Sequence, residues 1–242
     1  MRAETLNLLC FSYAGGSATF YSRWAKLLPA VRVIPVEIPG RGTEHQTASL
    51  VKSAGLLDFL TSQYGHFCTG PFVLFGHSLG ARIAFEFLHT LELAHGRKAQ
   101  RLFVSGCLAP DRFAQAMAFR ERDLSDAGLL QVLTDLGGTP PELMANPELM
   151  QAALPIIRAD FQLAIDLSKK PKACISAPIN LLLGSQDRVT NLFEDYPSWA
   201  RHTSSGCEVS VIDGDHFFIR SQTKAVVRLV ADKLQEIALD GD

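Results

Sequence analysis

Phe72-Val-Leu-Phe-Gly-His-Ser-Leu-Gly80, followed by Ala-Arg-Ile-Ala-Phe-Glu-Phe-Leu88, is the stretch whose reading decides the fold. Gly76, Ser78 and Gly80 form a G-x-S-x-G pattern. The five residues alone recur by chance. Here an apolar, strand-like run precedes them and a helical pattern follows, which is the context the pattern requires. Such a turn holds its serine in strained backbone geometry, and bulky residues two positions to either side would collide across it. The turn lifts the Ser78 hydroxyl above a sheet edge. It also sets the hydroxyl at a helix N-terminus, where free N–H groups and the helix dipole favour developing negative charge. The competing reading is a tight turn whose serine only caps the helix.

Outward from this stretch, six short apolar runs read as strands: Leu6–Phe11, Val31–Val36, Phe72–Phe75, Leu102–Ser105, Ile179–Leu183 and Glu208–Ile212. Near-continuous runs suit strands buried on both faces of a parallel sheet. Helical periodicity lies between them, as in Leu50, Ala54, Leu57, Leu60 and Tyr64, and again in Val226, Val230, Leu234 and Ile237. Strands alternating with amphipathic helices predict an α/β fold with a mostly parallel, doubly wound sheet. One connection is too long for a crossover helix, the stretch between Cys107 and Ile179. Ser125 and Asp126 can cap a helix that stops at Gly137-Gly138, and Asn146-Pro147-Glu148 can start another reaching about Asp166. This predicts a helical lid insertion over about 109–172, on the face where such sheets bind ligands. An ordinary stabilising subdomain is the plainer alternative.

With 242 residues, a single domain over 1–242 is expected. The 47% hydrophobic and 20% charged content excludes disorder as the main state. A net charge of -2 offers no basic excess for nucleic acid. No apolar run is long enough for a bilayer, and Glu4 and Asn7 interrupt any export-signal pattern, so neither a membrane nor export is expected. The five cysteines include no C-x-x-C pair, and Cys10, Cys107 and Cys207 sit in strand-like segments. Buried free thiols in a cytoplasmic protein are expected.

A serine hydroxyl needs a base to accept its proton. On this scaffold the chain order is Ser, then Asp or Glu, then His. Asp187 follows the fifth strand and His216 the sixth, so both fall at the sheet edge of Ser78. Asp187 could instead be a turn residue paired with Arg188, and Asp213 or Asp215 could supply the acid. His77 reads as packing or turn support. No H-E-x-x-H, Cys/His cluster or Ca-loop spacing points to a metal. A tetrahedral intermediate needs two aimed N–H donors. The Leu79 amide is one, and the loop Phe11–Ala18, with Gly15-Gly16, should give the other. That loop lacks the lysine of a P-loop. Met144, Leu149, Met150, Leu154, Ile157 and Phe161 on the insertion could line an apolar substrate pocket, or could only pack against the sheet.

Cys10-Phe-Ser-Tyr-Ala-Gly-Gly-Ser-Ala18 resembles the early loop of the type II thioesterases, α/β-hydrolase enzymes that accompany polyketide synthases and nonribosomal peptide synthetases. Ile38–Glu44, Phe75–Ala81, Leu136–Glu142, Asn146–Met150, Arg158–Phe161 and Gly214–Phe218 resemble that family's blocks in the same order. One departure is Ser12, where the family more often has proline. The resemblance implies Ser78 as nucleophile, His216 as base, Asp187 as its orienter, and the Ala14 and Leu79 amides as oxyanion hole. It implies hydrolysis of acyl groups from the phosphopantetheine arm of acyl or peptidyl carrier proteins, in editing or release, with no cofactor of the enzyme's own. Carrier proteins are typically acidic, so Arg23, Lys26, Arg41, Arg120 and Arg122 are docking candidates. A monomer is the default. The residues alone leave open a small-molecule carboxylesterase or lipase with the same triad, and a catalytically silent scaffold.

Overall fold

A computed structural model describes residues 5–120, 123–137, 146–171 and 173–240. Six parallel strands form one sheet: β1 Asn7–Phe11, β2 Arg32–Val36, β3 Phe72–His77, β4 Arg101–Ser105, β5 Ile179–Gly184 and β6 Cys207–Ile212, in the order β2-β1-β3-β4-β5-β6. Each lies within one or two residues of its sequence reading. The order reverses between β1 and β3, and ligands of open α/β sheets bind beside such a point. Phe11 pairs with both Val36 and Gly76, and Ser105 with His77 and Leu182, so the C-terminal strand ends line up along one edge.

Alternate side chains divide the core between the two faces. Leu9, Phe11, Leu74, Leu102 and Leu181 pack with helices α1 (Ser53–Tyr64) and α2 (Leu79–His95). Leu8, Cys10, Val73, Phe75 and Phe103 pack on the other face with Tyr21, Trp24 and the C-terminal helix. Both faces are thus covered, which explains why the central strands read as unbroken apolar runs.

Between β4 and β5 come α3 (Pro110–Arg120), α4 (Asp126–Leu136) and α5 (Pro147–Ser168). The caps are those the sequence offers. Ser125 Oγ accepts from Gly128 N–H, and Gly137 ends α4 at φ +73°. Asn146 accepts from the N–H groups of Glu148 and Leu149 ahead of Pro147. Helix α3 was not anticipated, although Pro110-Asp111 before Phe113, Ala116 and Met117 is a start signal with an apolar stripe. Nor was α6 (Leu192–Ala200), whose Glu194 and Asp195 bind Arg112 of α3. The last described element is α7 (Thr223–Asp240).

Three contacts fasten α5 to the sheet layer. Asp166 accepts from Ser53 N–H and Oγ at the start of α1, both at 2.8 Å. Arg82 of α2, buried and paired with Glu86, donates to Leu167 O at 3.1 Å. Asp160 is 1% exposed, is held by both terminal nitrogens of Arg41, and accepts from Gly15 N–H at 2.7 Å. Arg41 therefore sits inside the protein, 6% exposed, and is not a docking residue. Among the thiols, Cys10, Cys68 and Cys107 are buried, and burial pushes Cys68 and Cys107 up to about 12. Cys207 is half-buried and Cys174 exposed, short of the expected burial, because Cys174 lies in the turn before β5 and Cys207 opens the edge strand β6.

Asp160→Ala leaves a buried guanidinium and the Gly15 N–H without their carboxylate. Breaking such a pair from one side costs about 3–5 kcal/mol. Urea unfolding should show a loss of that size, and a loss under about 1 kcal/mol would mean that the pair does not fasten the insertion.

Candidate active site

Ser78 stands between β3 and α2 with φ 53° and ψ −121°, and it is the one non-glycine residue with positive φ among those described. The backbone around it explains the glycines. A Cβ on Gly76 would run into the main chain of Gly80 and Ala81, and one on Gly80 would strike the carbonyls of Phe11 and Ser12. Helix α2 thus starts in direct contact with the end of β1.

Ser78 Oγ lies 3.1 Å from His216 Nε2, and His216 Nδ1 lies 3.0 Å from Asp187 Oδ2. With Nδ1–H donating to the carboxylate, Nε2 is left as acceptor for the Ser78 hydroxyl. Asp187 has no side-chain exposure. Its Oδ1 accepts from Val189 N–H at 2.8 Å, and its Oδ2 from Thr190 Oγ at 2.7 Å. Burial alone would raise this carboxyl. The hydrogen bonds from His216, Thr190 and Val189 outweigh burial, and with the His216 charge they hold it below its usual range. The other candidate acids are engaged elsewhere. Asp213 accepts from Ser185 Oγ and Gln186 Nε2, and Asp215 from Phe217 N–H. Both shape the His216 loop, whose Gly214 and Asp215 carbonyls press on Gly184 at the end of β5.

A cavity of about 90 Å³ opens beside Ser78, with Ala14, Leu79 and His216 in its wall. The Ala14 and Leu79 amides donate to no protein acceptor among the described residues, as befits a loop N–H and the first N–H of a helix. Apolar side chains close the far end, among them Leu108, Phe113, Met117 and Phe161. Of the residues expected to line a pocket, Phe161 does so. Ile157 borders an outer groove instead. Met150 and Leu154 pack with Leu129 and Leu133 inside the insertion, because α4 covers that face of α5. Leu149 is exposed, and Met144 lies outside the described residues. The lining from α3 was missed along with its helix.

The family profile described as Thioesterase domain matches residues 6–234. The chain belongs to the thioesterase family. ClbQ from the colibactin NRPS/PKS pathway superposes with a TM-score of 0.86 at 30% identity, covering 98% of this chain and 99% of that one. The type II thioesterase BorB, from the borrelidin biosynthetic cluster, gives 0.80 at 31% identity, covering 96% and 93%. In sequence, a protein of Brevibacillus parabrevis named linear gramicidin dehydrogenase LgrE is 32% identical over 237 residues, 96% of this chain and 89% of that protein.

This thioesterase carries a second histidine against the first. His77 is fully buried, its ring centre 5.4 Å from that of His216, and its Nδ1 lies 2.8 Å from Ser105 Oγ. Burial, then the nearby His216 charge, push its titration well below the ordinary value, with Asp187 opposing them. A histidine kept neutral in the folded state binds protons more readily unfolded. Its contribution is therefore complete above the ordinary histidine value, about 6.5, and is lost as pH falls below it. Between pH 7 and pH 5.5, wild-type stability should drop by roughly 1 kcal/mol more than that of His77→Gln. Equal drops in chemical unfolding would contradict a neutral His77.

Proposed function

We propose that this chain hydrolyses acyl thioesters borne on the phosphopantetheine arm of carrier proteins in polyketide or nonribosomal peptide assembly, as an editing or releasing type II thioesterase. The observation that carries the reading is the unbroken hydrogen-bonded line from Ser78 through His216 to Asp187, opening on an apolar cavity. The family match and the likeness to ClbQ and BorB support the choice of a thioester over a simple ester.

The chemistry follows from these positions. Ser78 Oγ attacks the thioester carbonyl while His216 Nε2 takes its proton. Asp187 holds the tautomer and stabilises the imidazolium. The oxyanion forms toward the Ala14 and Leu79 N–H groups, aimed in advance by the loop and the helix start. Collapse breaks the C–S bond, and the thiolate leaves with the proton from His216. Water then attacks the acyl-serine with His216 again as base, yielding a free acid, a free thiol and the original serine. The route needs no metal or cofactor from the protein. The free thiols suit the cytoplasm. No helix among the described residues is long and apolar enough to cross a membrane.

The name of the gramicidin relative denotes a dehydrogenase. In this chain no strand is followed by a G-x-G-x-x-G dinucleotide fingerprint, and the Ser78 site suits acyl transfer.

With an acetylated carrier protein as substrate, Ser78→Ala and His216→Ala should each lose about 10⁴-fold or more in kcat with circular dichroism unchanged. Wild-type turnover by either would sink the mechanism. A higher kcat/KM for p-nitrophenyl acetate than for the acetylated carrier would make the enzyme a carboxylesterase instead.

A further inference from the structure

Of the basic residues expected at a docking surface, Arg23 and Lys26 are exposed, and Arg122 and the side chain of Arg120 lie outside the described residues. Arg41 is drawn inside instead. Both of its terminal nitrogens donate to Asp160 of α5, and one of them also donates to Gly16 O at 3.3 Å. Asp160 in turn accepts from Gly15 N–H at 2.7 Å. These contacts fall on the turn that carries Ala14. Tyr13 O accepts from Gly16 N–H at 2.9 Å across that turn, and Gly15 has φ +73°, the value of the third residue in a type II turn.

We propose that Asp160 is a positioning residue for the reaction: through the Gly15 N–H it fixes the peptide next to Ala14, and so holds the Ala14 N–H toward the oxyanion. The proposal rests on the thioesterase reading with Ala14 as a donor. It adds that this donor is in place only while α5 of the insertion is seated.

The central peptide of a β-turn has two orientations, which distinguish type I from type II, and glycine at the third position tolerates both. An acceptor on one side of the turn selects between them. Asp160 supplies that acceptor, and the planar fork of Arg41 holds the carboxylate in one orientation. Ile157, one helical turn before Asp160, closes on the same place, since a Cβ on Gly15 would stand 3.1 Å from its Cγ1. Glu37 fixes the other limb of the loop, accepting from Ser17 Oγ at 2.7 Å and Ala18 N–H at 3.1 Å. As a fastener alone, a buried ion pair gains little over apolar packing of the same volume. What this pair adds is direction. Asp160 and Ala14 both line the cavity beside Ser78, so the hold is applied at the site itself. An oxyanion donor must be aimed before the charge forms, and losing one costs about 10²–10³ in kcat.

Two matched ketones read oxyanion binding apart from fold stability and from the choice of substrate. At a thioether trifluoromethyl ketone, a bond forms from Ser78 Oγ to the carbonyl carbon, the C=O electron pair moves to oxygen and His216 takes the proton. The product is a hemiketal oxyanion facing the two donors. The corresponding methyl ketone binds without adding. Inhibition of p-nitrophenyl acetate hydrolysis gives both Ki values, with active sites counted by fluorophosphonate titration. In Asp160→Ala the preference for the trifluoromethyl ketone should fall about 10²-fold, with kcat on an acetylated carrier protein falling in parallel and the methyl ketone Ki moving less than threefold. Asp160→Asn, whose carbonyl can still accept from Gly15, should lose only about tenfold, and Arg41→Lys about the same. A preference within twofold of wild type in folded Asp160→Ala would overturn the positioning role. Should that variant not fold, the same result in both milder variants would do so, as would equal losses for the two ketones. Wild-type enzyme that shows the full ketone preference but leaves acylated carriers intact would instead strike the proposed function.

Discussion

Ser78 is held at φ 53°, where a side chain is disfavoured, and the rest of the site is arranged around that constraint. A residue stays in such geometry only when its neighbours leave it no other. Here β3 pairs with β1 on one side and β4 on the other, α2 begins against the Phe11 and Ser12 carbonyls, and Gly76 fits against Gly80 and Ala81. The sheet therefore fixes where the hydroxyl projects. The Leu79 N–H follows as the first of the helix, and the end of β1 carries Ala14 alongside. The Ser78 hydroxyl and the Ala14 and Leu79 N–H groups are thus placed by one packing arrangement at the reversal point of the sheet.

Buried charge is arranged by the same logic. Asp187 is stripped of water but takes three hydrogen bonds, so it remains a carboxylate facing His216. Asp160 is equally buried, yet Arg41 and Gly15 consume it, so a second acid near the cavity fastens the insertion to the Ala14 loop. His77 contributes a neutral ring behind His216. These three buried groups are each engaged in a separate contact, and the cavity beside Ser78 is lined mainly by apolar side chains.

How much of this was legible in the sequence depended on the range of the signal. Strand positions, the caps at Ser125, Asn146 and Gly137, and the assignment of Ser78, Asp187 and His216 to one sheet edge all follow from local patterns. Buried parallel strands must be apolar, and helix ends must satisfy free N–H and C=O groups. What local pattern could not supply was which faces of the insertion meet. Met150 and Leu154 carry the same periodic stripe as Phe161, but α4 covers one part of it and the cavity takes the other. Arg41 looked like a surface charge because its partner lies on the distant α5. Helix α3 has a proline start, but Ala109 stands before it where α4 and α5 have the capping side chains of Ser125 and Asn146, so its signal is weaker.

The proposed route requires that the Ser78 oxygen be covalently acylated during turnover. Rapid acid quench of the enzyme with an acetylated carrier protein, followed by peptide mass spectrometry, reads this directly. A transient acetyl group is expected on the peptide containing Ser78, formed no later than the free acetate. Acetate released in full turnover with Ser78 unmodified at every time point, or the acetyl group found on another side chain, would contradict it.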